Sequence, residues 1–272
     1  MTDSADRWLV ALDIDGTLLH EDETLSPAVV AAVQAARDAG HEIMLATGRA
    51  WEHTRPILSA LDIQPEYVVV ANGAIVLKRD AEHEEGYRRE LVYTFDPMPV
   101  LRRIRDVLPG GRFMVEDAAG RRAYTEGMFD WNLTGATMVD FDGLAIDDVT
   151  RVVCVSPDHS VDEFLSIVEG AGLHQVSYSI GWTAWLDIAP EGVNKGSALE
   201  RVREWMGVPL SRVLAVGDGR NDIEMFEWAS QSGRAVAMGQ APEDVKAVAT
   251  EITANVEDNG LVTALLALPG LA

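Results

Sequence analysis

Continuous apolar runs that end in glycine or polar residues recur near both ends of the chain and predict parallel β-strands alternating with helices. The first run, residues 8–12, has no polar position, which is typical of a strand buried on both faces. Ser26 and Pro27 then supply a helix N-cap and a first helical residue, and Gly40 ends the alanine-rich stretch that follows. Similar patterns predict strands over residues 42–46, 67–71, 212–216 and 235–238, and helices after Arg49 and over residues 222–229 and 242–249. This alternation indicates βαβ units and therefore a doubly wound, Rossmann-like α/β core.

The middle of the chain has a different pattern. Residues 78–90 are almost entirely polar and predict an exit from the first half of the sheet. Strand-like pieces follow over residues 91–95, 112–116, 151–155 and 185–188, with helical ones over residues 100–107 and 161–169. The sequence therefore predicts a discontinuous core domain of residues 1–80 and 190–272, and an inserted α+β domain of residues 81–189.

Charge and cysteine content narrow the classes of function. The chain has 272 residues with 22 Lys and Arg against 44 Asp and Glu, which gives a net charge of −22. This balance argues against sequence-independent nucleic-acid binding and against an anionic membrane surface as partner. A single cysteine, Cys154, is incompatible with an internal disulfide framework. The polar first residues and the lack of a long apolar run predict a cytoplasmic protein without a membrane span.

Two acidic clusters follow predicted strands. Asp13 and Asp15 come directly after the first strand, and in an extended backbone residues two apart point the same way. Taken alone, the Asp15-Gly16 pair is equally consistent with a hairpin turn. Asp218 and Asp222 follow another apolar strand, although Asp222 alone would also suit a helix start. If the two strands are neighbours, Asp13, Asp15 and Asp218 offer hard oxygen ligands, which favour Mg²⁺ over Zn²⁺.

Two further positions suit a phosphate ligand. Thr47, Gly48 and Arg49 end the second strand before a predicted helix, where a hydroxyl and backbone N–H groups can bind phosphate oxygens, although a simple turn explains the same tripeptide. Lys195 is one of only three lysines and precedes a helix predicted over residues 197–206, a place that opposes the helix dipole. It is either a surface residue or a cation for a phosphate oxygen or a metal-bound carboxylate.

In their order along the chain, these motifs resemble the four motifs of the haloacid dehalogenase (HAD) superfamily. The resemblance is carried by DIDGT at residues 13–17, ATGR at 46–49, GVNKG at 192–196 and GDGRND at 217–222. It continues in ANGA at residues 71–74 and in two stretches after residue 235, and it covers residues 8–77 and 190–262. The chain looks like the Cof-type phosphatase branch with an inserted C2-type (C2B) cap. Gln240 stands where the family more often has asparagine, and Arg220 is bulkier than in some members.

The resemblance implies a role for each acidic residue. Asp13 would be the nucleophile that takes the phosphoryl group, and Asp15 would protonate the leaving oxygen and later activate water. Asp13, the backbone carbonyl of Asp15 and Asp218 would hold Mg²⁺, and Asp222 would order the metal's waters or its surroundings. Six residues are implied to bind the phosphoryl group or shape its site: Thr47, Gly48, Lys195, Asn221, Arg49 and Asn72. For the last two, a core salt bridge and a turn are the respective alternatives.

By the same resemblance, the expected activity is Mg²⁺-dependent hydrolysis of a small phosphorylated metabolite, with sugar phosphates as the leading class. A phosphotransferase or phosphomutase that uses the same aspartyl phosphate is the alternative within this chemistry. A dehalogenase is disfavoured because a halide needs no protonation by Asp15. A receiver-like phospho-aspartate domain also uses an acid cluster, Mg²⁺ and a lysine, but its phosphoacceptor follows a middle strand in a much shorter chain.

Overall fold

The chain folds into two compact units in a computed structural model that describes residues 7–128, 133–170, 176–180 and 185–271. The first unit comprises Met1–Glu90 and Asn194–Ala272, and the second comprises Leu91–Val193. These boundaries differ from those predicted from the sequence, after residues 80 and 189, because the polar segment around residue 80 forms a hairpin of the first unit instead of a linker.

The described strands are, in chain order, β1 (Leu9–Leu12), β2 (Glu42–Leu45), β3 (Tyr67–Val70), β4 (Ile75–Arg79), β5 (Tyr87–Val92), β6 (Arg112–Asp117), β7 (Arg122–Tyr124), β8 (Thr137–Met138), β9 (Val149–Val155), β10 (Val176–Ile180), β11 (Trp185–Pro190), β12 (Val213–Gly217), β13 (Arg234–Ala237) and β14 (Glu251–Ile252). The described helices are α1 (Pro27–Asp38), α2 (Trp51–Leu61), α3 (Met98–Val107), α4 (Val161–Gly170), α5 (Lys195–Met206), α6 (Ile223–Ala229), α7 (Glu243–Val248) and α8 (Gly260–Leu266). Among these helices, none is both long and apolar enough to cross a membrane.

A five-stranded parallel sheet forms the centre of the first unit, in the order β14-β13-β12-β1-β2. An isolated parallel bridge between Ala46 and Val69 joins β3 beyond β2. All four residues of β1 are fully buried, as expected for a strand covered on both faces. The doubly wound α/β class predicted from the sequence is therefore confirmed, and the strand order reverses direction at β1.

The hairpin after β3 was not predicted. β4 pairs antiparallel with β3, and β5 continues this three-stranded sheet. The strand expected over residues 91–95 in fact begins at Tyr87 and ends at Val92. Exposed Arg88 and Arg89 interrupt any apolar run here, so the hydrophobic pattern carries no strand signal.

The second unit is a six-stranded sheet in the order β10-β11-β9-β6-β7-β8 with helices packed on it. Leu101 and Ile104 of α3 and Phe164 of α4 share one apolar cluster with Val152 and Cys154 of β9. Burial raises the pKa of the Cys154 thiol to about 12, so this cysteine is a core residue. The predicted strands in β6, β9 and β11 and both predicted helices are present, whereas β7, β8 and β10 were missed because they are short or lack a distinctive apolar run.

Candidate active site

Three loops meet at the carboxyl edge of the parallel sheet in the first unit. β1 lies between β2 and β12, with Leu12 level with Leu45 on one side and Val216 on the other. The residues that follow these strands are Asp13, Thr47 and Asp218. The carboxyl ends of adjacent parallel strands form the usual ligand-binding edge of an open α/β sheet.

A buried group of charges occupies this edge. Asp13, Asp218 and Asp222 each place a carboxylate oxygen within 4.8 Å of the others, and all three are buried. Lys195 is fully buried beside them, and its Nζ lies 2.6 Å from Oδ1 of Asp13 and 2.7 Å from Oδ1 of Asp222. We name these four residues the lysine–carboxylate group.

Lys195 reaches this group because α5 begins earlier than the sequence suggested. Helix α5 starts at Lys195 itself and not at residue 197, since Asn194 is its N-cap. The Asn194 side chain accepts a hydrogen bond from the Ser197 N–H at 2.8 Å, and the Ser197 hydroxyl accepts one from the Asn194 N–H at 3.0 Å. This capping box fixes the first turn of the helix and directs the lysine inward.

Both carboxylate oxygens of Asp222 accept hydrogen bonds from the protein. Its Oδ1 accepts from Lys195, and its Oδ2 accepts from the backbone N–H groups of Asp218 and Gly219, both at 3.0 Å. By contrast, Oδ2 of Asp13 and Oδ1 of Asp218 accept no hydrogen bond from the described residues. Asp222 is thus placed to orient the lysine and the Asp218 loop, while Asp13 and Asp218 each retain an oxygen for a ligand.

Glycine is required where the two acidic loops approach each other. Gly16 has a φ of +70°, and a Cβ there would lie 2.1 Å from Oδ2 of Asp218. Any side chain at this position would displace the carboxylate as well as strain the backbone. The glycine of the DIDGT motif therefore serves the geometry of Asp218, some 200 residues later in the chain.

Burial governs the electrostatics of the site. Burial raises the pKa of Asp13 well above its ordinary range, and the nearby charge of Lys195 only partly opposes this. Burial, reinforced by Asp222, raises the pKa of Asp218 to about 7. For Lys195 burial alone would lower the pKa, but Asp13 and Asp222 raise it, so the ammonium stays charged.

Three carboxylates thus face one buried cation. The excess negative charge and the oxygen-only donor set fit a hard divalent metal ion.

Gln240 is a site residue that sequence analysis noted only as a departure from a family pattern. It follows β13, and its Nε2 donates to the carbonyl oxygen of Gly16 at 2.6 Å and to Oδ2 of Asp218 at 3.1 Å. Its Oε1 accepts from the N–H of Val256 at 3.0 Å. One amide therefore ties together three loops. The signal that could have revealed it is its place after another strand of the same sheet.

Asp15 lies apart from the buried carboxylates. Its side chain is 60% exposed, and it pairs with Arg49, whose Nε lies 2.9 Å from Oδ2 and whose Nη2 lies 2.5 Å from Oδ1. The expectation that Asp13 and Asp15 point the same way assumed an extended backbone, whereas the backbone bends at Ile14, between the two aspartates. The side chain of Asp15 is therefore not in the lysine–carboxylate group, and a role for its backbone carbonyl in metal binding stays a prediction.

The remaining predicted phosphate residues lie together. Thr47 is buried, and its Oγ1 accepts from the N–H of Arg49 at 3.0 Å. A Cβ on Gly48 would lie 3.0 Å from Oδ1 of Asn72, and that same oxygen accepts from Nδ2 of Asn221 at 3.1 Å. Asn72 has a left-handed backbone with φ of 51°, which asparagine tolerates better than most residues. No hydrogen bond joins Asn221 to Lys195 among the described side chains.

Comparison with known proteins identifies the family. The model of the haloacid dehalogenase-like hydrolases matches residues 10–96 and 111–265. The chain is 29% identical to the 5-amino-6-(5-phospho-D-ribitylamino)uracil phosphatase YitU of Bacillus subtilis (strain 168), over 93% of this chain and 94% of that protein. It is 30% identical to the pyridoxal phosphate phosphatase YbhA of Escherichia coli (strain K12), over 88% of this chain and 90% of that one.

The fold has solved counterparts. The HAD subclass IIB sugar phosphatase BT4131 aligns with a TM-score of 0.76 at 20% sequence identity, covering 95% of this chain and 97% of that one. This likeness concerns the fold, while the family match rests on the sequence. With a family model that spans most of its length and relatives that are phosphatases, the chain belongs to the haloacid dehalogenase-like hydrolases.

Proposed function

We propose that this protein is a Mg²⁺-dependent phosphomonoesterase that hydrolyses a small phosphorylated metabolite through an aspartyl phosphate on Asp13. The lysine–carboxylate group carries the proposal. It combines a buried nucleophile candidate, a fixed cation and an excess of negative charge that a divalent ion would balance. Membership of a family whose matched relatives are phosphatases supports the same activity.

The donor set favours Mg²⁺ among divalent ions. Asp13 and Asp218 would hold the metal through the oxygens that protein donors leave free, and the group contains neither thiolate nor imidazole. Bound Mg²⁺ would supply the positive charge that lowers the repulsion between a carboxylate and a phosphate dianion. Asp222 would keep the Asp218 loop and Lys195 in place through its three hydrogen bonds.

The chemistry proceeds in two displacements at phosphorus. Asp13 attacks through a carboxylate oxygen, the bond from phosphorus to the ester oxygen breaks, and Asp15 gives its proton to the departing alkoxide. A water molecule then attacks the aspartyl phosphate, Asp15 takes its proton, and inorganic phosphate leaves with Asp13 restored. Each transfer needs a group held within hydrogen-bond reach of the reacting oxygen.

Positive charge and dipoles around the phosphoryl group come from the chain itself. The Lys195 ammonium, already held by Asp13, would stabilise the charge that develops on phosphoryl oxygens. The Thr47 hydroxyl and the Gly48 N–H would contact the same oxygens, and Gly48 has room for this because it has no side chain beside Asn72. Asn72 and Asn221 would support this loop through their mutual hydrogen bond.

The substrate is proposed at the level of a class. YitU and YbhA are named for a phosphorylated ribityl compound and for pyridoxal phosphate, both small phosphorylated metabolites. We extend that class to this chain, with a phosphorylated sugar or sugar-derived alcohol as the first candidate. The second unit, Leu91–Val193, would act as the cap that selects among such substrates.

The direct test is release of inorganic phosphate from a panel of phosphate monoesters, with Mg²⁺ and with the metal chelated. The wild-type protein should hydrolyse p-nitrophenyl phosphate and at least one sugar phosphate only when the metal is present. Asp13→Asn should lose at least about 1,000-fold in kcat, because an amide cannot replace the nucleophilic carboxylate. Circular dichroism should show that the variant is folded.

The matched control is Asp106→Asn, the same change at an exposed residue of the second unit. It should hydrolyse the panel at the wild-type rate. Turnover near the wild-type rate in Asp13→Asn would exclude Asp13 as nucleophile. Phosphoryl transfer to an added sugar acceptor, with little free phosphate, would identify a phosphotransferase instead.

A further inference from the structure

The Arg49 side chain forms hydrogen bonds with two acidic residues of the loop that follows β1. Its Nε donates to Oδ2 of Asp15 at 2.9 Å and to Oδ1 at 3.2 Å, and its Nη2 donates to Oδ1 at 2.5 Å. The same Nη2 donates to Oε1 of Glu23 at 3.2 Å. The side chain of Arg49 is only 20% exposed, whereas those of Asp15 and Glu23 are 60% and 75% exposed.

The backbone of Arg49 is anchored on both sides. Its N–H donates to Oγ1 of Thr47 at 3.0 Å, and its carbonyl oxygen accepts from the N–H of Ala71 at 2.9 Å. Arg49 thus projects from a fixed point between β2 and the turn after β3. A planar guanidinium that forms a two-pronged pair fixes the orientation of its carboxylate partner as well as its distance.

Asp15 has no other means of orientation. It is not in the lysine–carboxylate group, and among the described side chains only Arg49 forms a hydrogen bond with its carboxylate. A proton-transfer residue must hold its oxygen within about 3 Å of the reacting atom, and a mostly exposed aspartate that rotates freely would meet this condition only part of the time.

We propose that Arg49 is a positioning residue for proton transfer by Asp15, and not a ligand of the phosphoryl group. The inference rests on the phosphatase function proposed above. Of the two guanidinium edges that can bind an oxygen pair, the one formed by Nε and Nη2 is occupied by Asp15, and Nη2, which the other edge shares, also donates to Glu23. The proposal thus favours the salt bridge that sequence analysis left open for Arg49 over the phosphate contact that the resemblance implied.

The proposal predicts a dependence on the leaving group. Nitrophenolate leaves as a stabilised anion, whereas an alkoxide must be protonated as it departs. The value of kcat/KM reports the steps up to formation of the aspartyl phosphate, in which only the departure of the alcohol uses this proton. Loss of Arg49 should therefore lower kcat/KM for an alkyl phosphate at least about 10-fold more than for p-nitrophenyl phosphate.

The experiment compares wild type, Arg49→Lys and Arg49→Gln on p-nitrophenyl phosphate, phenyl phosphate and the alkyl phosphate that the wild type hydrolyses best. A plot of log kcat/KM against the pKa of the leaving group should be steeper for both variants, because lysine keeps the charge but not the two-pronged pair. Asp15→Asn should be at least as steep, and adding Arg49→Gln to it should produce little further loss on the alkyl ester. Glu21→Gln, at an exposed position of the same loop, is the matched control, and its slope should equal that of wild type.

The results distinguish a positioning role of Arg49 from a phosphate-binding one. An equal loss on all esters in the Arg49 variants would assign Arg49 to the phosphoryl group and overturn the proposal, as would wild-type slopes. Inactivity of the wild-type protein on every ester would instead reject the phosphatase function itself. Circular dichroism and the Mg²⁺-dependent rise in Tm verify the fold of each variant, and Arg49→Lys provides the test if the glutamine variant does not fold.

Discussion

The two units each bury an ion pair, and the pairs are built differently. In the second unit, Nε and Nη2 of Arg151 lie 2.7 and 2.8 Å from the two oxygens of Asp187. In the first unit, Lys195 contacts one oxygen of Asp13 and one of Asp222. The guanidinium thus covers both oxygens of one carboxylate, whereas the ammonium divides its charge between two and leaves an oxygen of Asp13 free.

The difference explains the choice of cation in an arginine-rich chain. The protein has 22 basic residues, of which three are lysines, and the one at the sheet edge is the fully buried Lys195. A bidentate guanidinium at that position would occupy the oxygens that the proposed nucleophile and metal site use, whereas the ammonium leaves them free. Among the residues that the structure describes, the one side chain that forms a hydrogen bond with Asp218 is the neutral amide of Gln240, so the group remains short of positive charge.

Disrupting either ion pair should lower stability, but only disruption of the Lys195 pair should also lower activity. Lys195→Met should lower the free energy of unfolding of the metal-free protein by about 3–5 kcal/mol, because it leaves buried carboxylates uncompensated. It should also lower kcat for phosphate release at least about 100-fold. Urea denaturation and a phosphate assay measure the two effects.

Asp187→Asn is the counterpart in the second unit. It should lower the free energy of unfolding by a similar amount, about 3–5 kcal/mol, because it removes a carboxylate charge that pairs with the buried Arg151 guanidinium. The rise in Tm on adding Mg²⁺ should nevertheless match that of wild type. Loss of that rise in Asp187→Asn, or near-normal turnover in Lys195→Met, would contradict the contrast between the two pairs.

The parts of this picture that the sequence predicted are those set by local pattern. The fully buried β1 and β12, and β2 after Glu42, are visible as apolar runs, and the acidic and lysine motifs that follow strands are recognisable by order. Their convergence follows from parallel strands that share an edge.

The rest depends on partners distant in sequence. The amide of Gln240 contacts Gly16 and Val256, and the Arg49 guanidinium contacts Asp15, because of how the loops turn after the strands. The backbone bends at Ile14 where an extended chain was assumed, so the side chains of Asp13 and Asp15 do not converge. Polar hairpin strands such as β5 have no hydrophobic period to detect.

Asp218→Asn tests the surplus of negative charge through pH. Because the pKa of Asp218 is about 7 in the folded protein and near 4 in the unfolded chain, the folded state binds more protons between these values. The free energy of unfolding of the metal-free protein should therefore fall as pH rises from about 4 to about 7. The asparagine variant should fall less steeply and be roughly 1–3 kcal/mol more stable than wild type at pH 8.

The same variant separates stability from metal binding. Mg²⁺ should raise the Tm of wild type at pH 8 but have little effect on Asp218→Asn, since the amide is a poor ligand. Urea denaturation across the pH range, with Asp106→Asn as control, provides the measurement. A stability of Asp218→Asn that parallels wild type at every pH would show that Asp218 does not carry the excess charge.

Gln240→Ala is the mildest of these four changes. Without the amide, Asp218 and the carbonyl of Gly16 lose a common donor, and the affinity for Mg²⁺ should fall by about 10-fold, the lower end of the effect of residues that orient metal ligands. Isothermal titration calorimetry measures the affinity directly. Gln231→Ala, at an exposed position, should bind Mg²⁺ as wild type does. Equal affinities in the two variants would mean that Gln240 does not orient Asp218.

The place of β1 between β2 and β12 has a consequence for synthesis on the ribosome. About 200 residues separate β1 from β12, so at cellular rates of elongation one edge of β1 waits on the order of 10–40 s for its neighbour. During that interval an apolar strand with unpaired backbone groups is available to other nascent chains. Premature termination anywhere before Val213 would make this exposure permanent, so truncated products should depend on chaperones or proteases, whereas the finished chain closes its own edge.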